Sequence, residues 1–82
     1  MRVTVKLFGP AAQRAGMREV GVAVDSARVT CAELKAALSR AAPAIADLLA
    51  ASRLAVNQEF AADDDSVSEK DEVALITMVS GG

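Results

Sequence analysis

The sequence predicts an α+β fold in which one main helix crosses a mixed β-sheet. Two observations indicate it. Strand patterns lie at both ends of the 82-residue chain, an apolar–polar alternation near the N-terminus and a short apolar run near the C-terminus, and a capped amphipathic helix lies between them. The length suits a single domain, which we expect over residues 1–78. With 52% hydrophobic residues the chain can bury a core, so it is not a disordered tail.

The N-terminal part of the chain predicts two antiparallel strands. Residues 2–8 alternate strictly, and Gly9-Pro10 ends this strand because proline lacks a donor for the sheet. Residues 11–15 are expected to form one helical turn, after which residues 18–24 alternate again. Two strands joined by a short connection indicate a hairpin.

The main helix begins at a capping box. The Thr30 hydroxyl can accept from the Glu33 amide while the Glu33 carboxylate accepts from the Thr30 amide. The helix then carries one apolar stripe, formed by Cys31, Leu34, Leu38 and Ala41. Pro43 ends it and suits the first turn of a second short helix. In that helix we expect three inward side chains, those of Ile45, Leu48 and Leu49.

The C-terminal part predicts further strands. Residues 53–57 form one, a turn at residues 57–59 follows, and Phe60 begins another short strand. The polar run at residues 63–66 is expected to be a loop, and residues 72–78 form the final strand.

The final strand presents Val73 and Leu75 on one face and Ala74 and Ile76 on the other. The order strand, strand, helix, strand, strand is typical of a β-grasp roll. In that roll the first and last strands pair in parallel at the centre of the sheet.

Composition excludes several kinds of function. The chain has no histidine, and its single cysteine cannot form an internal disulfide, a four-cysteine zinc site or an iron–sulfur cluster. Nine basic and eleven acidic residues, with no basic block, argue against nucleic-acid binding. No apolar run is long enough to span a membrane, and no signal-peptide core is seen. We therefore expect a cytoplasmic domain that does not act on a membrane.

Two polar features could suggest chemistry, but each has a simpler structural explanation. Cys31 lies near a helix N-terminus, where thiols can be activated, yet its place on the apolar stripe favours a buried structural residue. Asp63, Asp64 and Asp65 lack the spacing and the distal glutamate of a calcium loop, which favours a solvated acidic loop. We expect no metal site.

The most informative feature is the terminal Gly81-Gly82 pair. Residues 79–82 are expected to form a flexible tail that extends roughly 13 Å, and two residues without side chains can enter a narrow pocket. The carboxylate of Gly82 is a poor electrophile, but activation as an acyl-adenylate would let a sulfur nucleophile convert it to a thiocarboxylate. We expect Gly82 to carry the chemistry and Val79, Ser80 and Gly81 to enter a partner.

Exposed apolar residues near this tail predict a docking surface. Phe60 and Ile76 are candidates for the outer face of the sheet, and Phe8 and Met78 complete the set of expected partner-binding residues.

The whole chain resembles the β-grasp, ubiquitin-like sulfur carriers, above all the small subunit of molybdopterin synthase. The resemblance is densest at residues 55–58 and 71–82. It implies that a ubiquitin-activating-like adenylyltransferase uses Mg-ATP to activate Gly82, and that a sulfurtransferase takes part in forming the thiocarboxylate. The tail would then enter the large synthase subunit and donate sulfur to cyclic pyranopterin monophosphate, with two carriers flanking a large-subunit dimer.

By the same resemblance, the chain itself is a non-catalytic sulfur-donor subunit that binds no cofactor, and the outer docking patch maps onto Phe60 and Ile76. Two positions depart from the family pattern. Thr77-Met78 replaces a frequent Pro-Pro pair, and Ala12-Gln13 replaces a frequent Arg-Glu pair. These departures leave open a carrier for thiazole or cysteine synthesis. A ubiquitin-like modifier that forms isopeptide bonds and a passive binding domain also remain open.

Overall fold

The computed structural model describes residues 1–78, and the predicted tail at residues 79–82 lies outside this range. Within this range, seven strands, two α-helices and one 3₁₀ helix follow one another. Their bounds, in chain order, are β1 Arg2–Leu7, α1 Gly9–Ala15, β2 Glu19–Ala23, β3 Val29–Thr30, α2 Cys31–Ala41, the 3₁₀ helix Pro43–Ala51, β4 Ser52–Val56, β5 Glu59–Phe60, β6 Ser66–Val67 and β7 Val73–Thr77.

Five strands form the main sheet in the order β2-β1-β7-β4-β5. The predicted hairpin is confirmed, since β1 and β2 pair antiparallel with Val5 opposite Val20. The predicted central pair is confirmed too, because β1 and β7 run parallel with Leu7 opposite Leu75. The mixed sheet and its crossing helix establish the predicted β-grasp fold.

The capping box predicted at the start of α2 is present. The Glu33 amide donates to the Thr30 hydroxyl at 3.1 Å, and the Thr30 amide donates to the Glu33 carboxylate at 2.9 Å. These bonds lower the pKa of Glu33. The prediction of Ala41 in the apolar stripe is wrong: α2 ends there, so Ala41 is exposed and Ala42 is buried in its place.

Two other predicted boundaries change. The first helix begins at Gly9 rather than residue 11, because Pro10 fits a first helical turn. Backbone N–H groups there have no acceptor within the helix, so the lack of an N–H in proline costs no hydrogen bond. Ser66 was expected in a loop, but with Val67 it forms β6. Strand β6 pairs with β3 as a small second sheet, and both strands are only two residues long.

The core lies between α2, the 3₁₀ helix and the inner face of the main sheet. Its largest fully buried side chains are Leu34, Leu38, Ile45, Leu54, Leu75, Val3, Val5, Val67, Val73 and Cys31. Within residues 1–78 the one buried polar residue is Ser52, whose hydroxyl donates to the Leu48 carbonyl at 2.7 Å. All other buried residues of that range are apolar, so hydrophobic burial holds the fold together.

Candidate functional site

The outer face of the main sheet, turned away from α2, carries a row of small residues between larger ones. The strand registers place Lys6 opposite Ala74, Ala74 opposite Ala55, and Ala55 opposite Phe60. Because two alanines occupy the middle of this row, the surface between the larger residues is concave. Successive side chains of a strand point to opposite faces of the sheet, so the strands that contribute to the core also form this outer face.

This concave surface is an open groove of about 460 Å³. The residues that line it are Lys6, Phe8, Ala55, Gln58, Phe60, Glu72, Ala74 and Ile76. Phe8 and Phe60 are 53% and 52% exposed, which is a large apolar area to leave in water. Single exposed apolar residues are common in proteins, but convergence of several around one concave surface is typical of a binding site.

Three of the four residues predicted to bind a partner lie together in this groove: Phe8, Phe60 and Ile76. Met78 is also exposed, but it is not one of the lining residues. The predicted tail residues Val79, Ser80, Gly81 and Gly82 lie outside the described residues.

The end of β7 is fixed to its neighbours. The Met78 amide donates to the Ala51 carbonyl at 2.8 Å, and the hydroxyls of Thr77 and Ser52 lie 3.2 Å apart. A proline at position 78 could not make the first of these bonds. Because β1 and β7 are parallel, Phe8 and Met78 both follow strand ends on the same side of the sheet, so the described chain ends on the side where Phe8 lines the groove.

Two cations lie at the rim of the groove in different environments. Lys6 forms an exposed ion pair with Glu72 at 3.0 Å. The Arg53 guanidinium lies over the Phe60 ring, 4.7 Å from its centroid, which is a cation–π arrangement. Within residues 1–78, no carboxylate lies within ion-pair distance of Arg53. Among the described residues, Ala55 and Ala74 give the groove an apolar floor, and the Arg53 guanidinium has no carboxylate partner, so it can meet an acidic group of a binding partner.

A two-residue turn connects β4 to β5 beside the groove. Asn57 and Gln58 both have positive φ, 53° and 71°, and the flanking residues pair across the hairpin. The Asn57 side chain donates to Asp71 at 3.0 Å and accepts from the Glu72 amide at 3.0 Å. Hydrogen bonds from the Ser68 backbone and from Asn57 lower the pKa of Asp71. The turn is thereby tied to the loop that precedes β7.

Sequence reasoning placed residues 57–59 in a turn, but the turn contains Asn57 and Gln58, and Glu59 already belongs to β5. It missed two functional candidates, Gln58 and Arg53. Arg53 could have been found from alternation, since Leu54 is its inward neighbour and Arg53 must face outward. The position of Gln58 at the groove depends on the left-handed turn, which no pattern in the sequence indicated.

The thiol and the acidic loop considered as alternatives have structural roles. Cys31 is buried, and burial together with nearby Asp65 and Asp63 raises the pKa of its thiol, which disfavours the reactive thiolate. The backbone carbonyls of the same two aspartates accept from the first amides of α2 at 2.9 and 3.0 Å. No cluster of three potential metal ligands occurs in the described part of the chain.

Among residues 1–78, no helix has the length and apolar character that crossing a membrane requires.

Comparison with protein families gives one assignment that covers nearly the whole chain. A model of the ThiS family matches residues 5–82. No curated protein sequence matches the chain.

Solved structures with the same fold include two kinds of protein. The crystal structure of SAMP1 from Haloferax volcanii, a small archaeal modifier protein, is 32% identical, with a TM-score of 0.83 and coverage of 100% of both chains. A putative molybdopterin converting factor subunit 1 from Pyrococcus furiosus is 21% identical, with a TM-score of 0.78, covering 96% of this chain and 99% of that one.

A third structure is a complex of subunits 1 and 2 of the molybdopterin-converting factor from Helicobacter pylori 26695. It is 20% identical, with a TM-score of 0.67 and coverage of 100% of both chains. At these identities, the likeness to the two converting-factor structures shows the fold alone.

Proposed function

The chain belongs to the ThiS family of β-grasp sulfur carriers, and we propose that it carries sulfur as a thiocarboxylate on Gly82 for molybdopterin synthesis. The observation that carries this proposal is the family match, which continues through Gly81 to Gly82. In a carrier of this kind the fold holds the terminal carboxylate and supplies the surface that partners recognise, while the partners supply the catalytic groups.

The proposed chemistry proceeds in two steps. The Gly82 carboxylate attacks the α-phosphate of Mg-ATP in a partner adenylyltransferase, which forms an acyl-adenylate and releases pyrophosphate. A sulfur nucleophile supplied through a sulfurtransferase then displaces AMP, and the carboxylate becomes a thiocarboxylate. Activation is necessary because an ionised carboxylate resists nucleophilic attack at neutral pH.

The groove supports this proposal by its position. Four residues, of which Gly82 is the last, follow the described chain, so they span roughly 13 Å at most. A partner whose active site reaches Gly82 must therefore come close to Met78 and cover the neighbouring surface. That surface is the apolar groove, in which Phe8, Phe60 and Ile76 would be buried on docking.

We propose that the carrier then binds the large subunit of molybdopterin synthase, into which Val79, Ser80, Gly81 and Gly82 would insert. There the thiocarboxylate would donate its sulfur to cyclic pyranopterin monophosphate, and two carriers would flank a large-subunit dimer. The Helicobacter pylori structure with the same fold is a complex of subunits 1 and 2, which supports the large subunit as the partner in this proposal. We place the reaction in the cytoplasm.

A second candidate function is supported by the modifier structures. SAMP1 from Haloferax volcanii is 32% identical over the full length of both chains, which is higher than the identity to either converting factor described above. In this alternative the activated Gly82 is transferred to a lysine amine of another protein, so an isopeptide bond forms and AMP leaves. A carrier for thiazole or cysteine synthesis would instead share the thiocarboxylate and differ in its acceptor.

Mass spectrometry of the C-terminal peptide separates these functions. The protein would be incubated with its activating enzyme, Mg-ATP and a sulfur source, and then alkylated. Sulfur-for-oxygen exchange has nearly the mass of methionine oxidation, and Met78 is close, so the alkyl label must be located by fragmentation. The Cys31→Ser variant removes the competing thiol.

We expect the label on Gly82, and we expect the Cys31→Ser variant to be labelled as well as the wild type. Lysine conjugates without a thiocarboxylate would identify a modifier. No label and no conjugate, with an enzyme that activates another carrier, would refute both functions.

A further inference from the structure

The two edges of the main sheet differ in how much backbone they expose. At one edge, β5 has only two residues, which is too short to pair with much of another strand. At the other edge, β2 has five residues and pairs with β1 in an unbroken register. Strand β2 contains no proline and no bulge, the usual means by which an exposed edge is protected from pairing.

The pairing with β1 shows which backbone groups of β2 point away from the sheet. The Val24 amide donates to the Met1 carbonyl at 2.8 Å, so these residues form a hydrogen-bonded pair. Such pairs alternate with non-hydrogen-bonded pairs along an antiparallel ladder, so the even-numbered residues of β2 bond to β1. The N–H and C=O groups that point to the free edge belong to the odd-numbered residues, Glu19, Gly21 and Ala23, which are exposed.

Two charged side chains lie at this edge without an ion-pair partner among the described residues. The Arg2 guanidinium lies over Gly21 on the outer face, where a Cβ at position 21 would be 2.5 Å from Arg2 Nη2. Any side chain at position 21 would displace it. Glu19 projects from the same face, opposite to the buried face of β2. Within residues 1–78, neither Arg2 nor Glu19 belongs to an ion pair, and both are exposed.

We propose that β2 pairs antiparallel with β2 of a second copy of the chain, with Val20 opposite Val20 of that copy. Gly21 then lies opposite Glu19 of the second copy, and their outward N–H and C=O groups exchange hydrogen bonds. The Arg2 guanidinium, which lies over Gly21, meets the Glu19 carboxylate of the second copy. The two-fold axis repeats both the hydrogen bonds and the ion pair.

The distribution of charge identifies both the occupant and the register. If Gly21 lay opposite Gly21 of the second copy, the two Arg2 guanidinium groups would face each other and repel. The register centred on Val20 alternates cations with carboxylates instead. It also brings Met17, which is 48% exposed, beside Ala23 of the second copy. This edge therefore carries the complement of its own charges, as an interface between identical copies requires.

Such a dimer goes beyond the proposed carrier function and does not depend on it. No residue of β2 lines the groove, and a two-fold axis perpendicular to the sheet leaves both grooves uncovered on the same side. A docking partner can therefore still reach each groove. One pair of edge strands buries little surface, so we expect a weak dimer that forms at high protein concentration.

Reversal of the two charges tests the interface. Sedimentation equilibrium at protein concentrations up to millimolar gives the dimer Kd, and circular dichroism confirms that each variant is folded. Arg2→Glu and Glu19→Arg each place like charges at both symmetric contacts, so each should raise Kd about tenfold. The double variant restores opposite charges and should recover the wild-type Kd. Lys70→Glu, in an exposed turn, makes the same change in net charge as Arg2→Glu and should leave Kd unchanged.

Disulfide trapping tests the register. Val20→Cys, in a Cys31→Ser background and with oxidised glutathione, should form a disulfide between two copies. Opposed residues of a non-hydrogen-bonded pair have Cα atoms about 4.5 Å apart, within the range that a disulfide spans. Val22→Cys is the matched control, because in this register Val22 does not lie opposite itself and should form no such disulfide.

The outcomes separate the dimer, its interface and its register. Weaker dimers for both single reversals, recovery in the double variant and a disulfide at position 20 alone support the proposal. A wild type that is monomeric at millimolar concentration overturns it. A dimer whose Kd is insensitive to both reversals does not form through β2, which also overturns it. A disulfide at position 22, or none at position 20, overturns the register.

Discussion

The two faces of the main sheet are formed by the same strands but differ in how far their side chains are exposed to water. On the inner face, Val5, Leu54 and Leu75 are fully buried against the helices. On the outer face, Phe60 is half exposed, and it lines a groove whose floor is formed by alanines. A shift of one residue along a strand moves a side chain from the face that stabilises the fold to the face that can recognise a partner.

This difference implies that stability and recognition can be changed separately. Core residues contribute by leaving water during folding, and that contribution is complete before any partner arrives. If the proposed docking is correct, groove residues remain in water until a partner binds, so most of their apolar area contributes only to binding. Substitutions at neighbouring residues of one strand should therefore have different effects. An inward-facing residue should affect mainly stability, and an outward-facing residue should affect mainly binding.

The largest expected effect is on the inner face. Leu75→Ala removes a fully buried side chain and should reduce the free energy of unfolding by about 3 kcal/mol. Its neighbour Ile76, which lines the groove, is partly exposed, so Ile76→Ala should lose only about 1 kcal/mol. Urea denaturation of both variants checks the contrast. Equal losses would mean that the outer face is part of the core.

A smaller effect is expected at the rim of the groove. Arg53→Ala removes the guanidinium that lies over Phe60 and should destabilise the fold by about 0.5 kcal/mol. Arg53→Lys keeps a cation near the ring and serves as the control. Urea denaturation is again suitable, and a loss as large as that of Leu75→Ala would contradict the assignment of Arg53 to an open surface.

The smallest effect concerns pH. Hydrogen bonds from the Ser68 backbone and from Asn57 hold the pKa of Asp71 below its ordinary value. A lowered pKa in the folded state stabilises the protein above the unfolded-state pKa of about 3.9, and this stabilisation disappears as pH falls through the folded-state value. Asp71→Asn should therefore be less stable than the wild type at pH 7.

Unfolding in urea at pH 7 and at successively lower pH measures this effect. The difference between Asp71→Asn and the wild type should shrink as pH falls below about 4. Asp64→Asn removes one negative charge at an exposed loop position, so it controls for the change in net charge. A difference that stays constant with pH would show that the Asp71 charge does not stabilise the turn.

Local patterns in the sequence were enough to predict the main architecture. The alternation of residues 2–8 and the apolar run within residues 72–78 identified the two central strands, and the Thr30–Glu33 pair located the start of α2. Each of these signals is short-range, so it needs no knowledge of tertiary contacts.

Features that depend on distant contacts were missed. The β3–β6 pair involves only two residues on each side, and Val29 meets Val67 across a long stretch of chain. Its strands are too short to show alternation. The groove also depends on register, because Ala55 and Ala74 form its floor only after β4 and β7 pair. The sequence supplied Phe8, Phe60 and Ile76 as candidates, but not the concave surface that joins them.

The most direct test of the account compares the rate of thiocarboxylate formation on Gly82 in the wild type and in Phe60→Asp. Both proteins should fold, since Phe60 is half exposed and an aspartate there can pair with Arg53. With the activating enzyme, Mg-ATP and a sulfur source, we expect labelled Gly82 in the wild type and a rate at least about tenfold lower in the folded variant. Equal rates would contradict the docking role of the outer face, and an unlabelled wild type with a proven enzyme would contradict the carrier function.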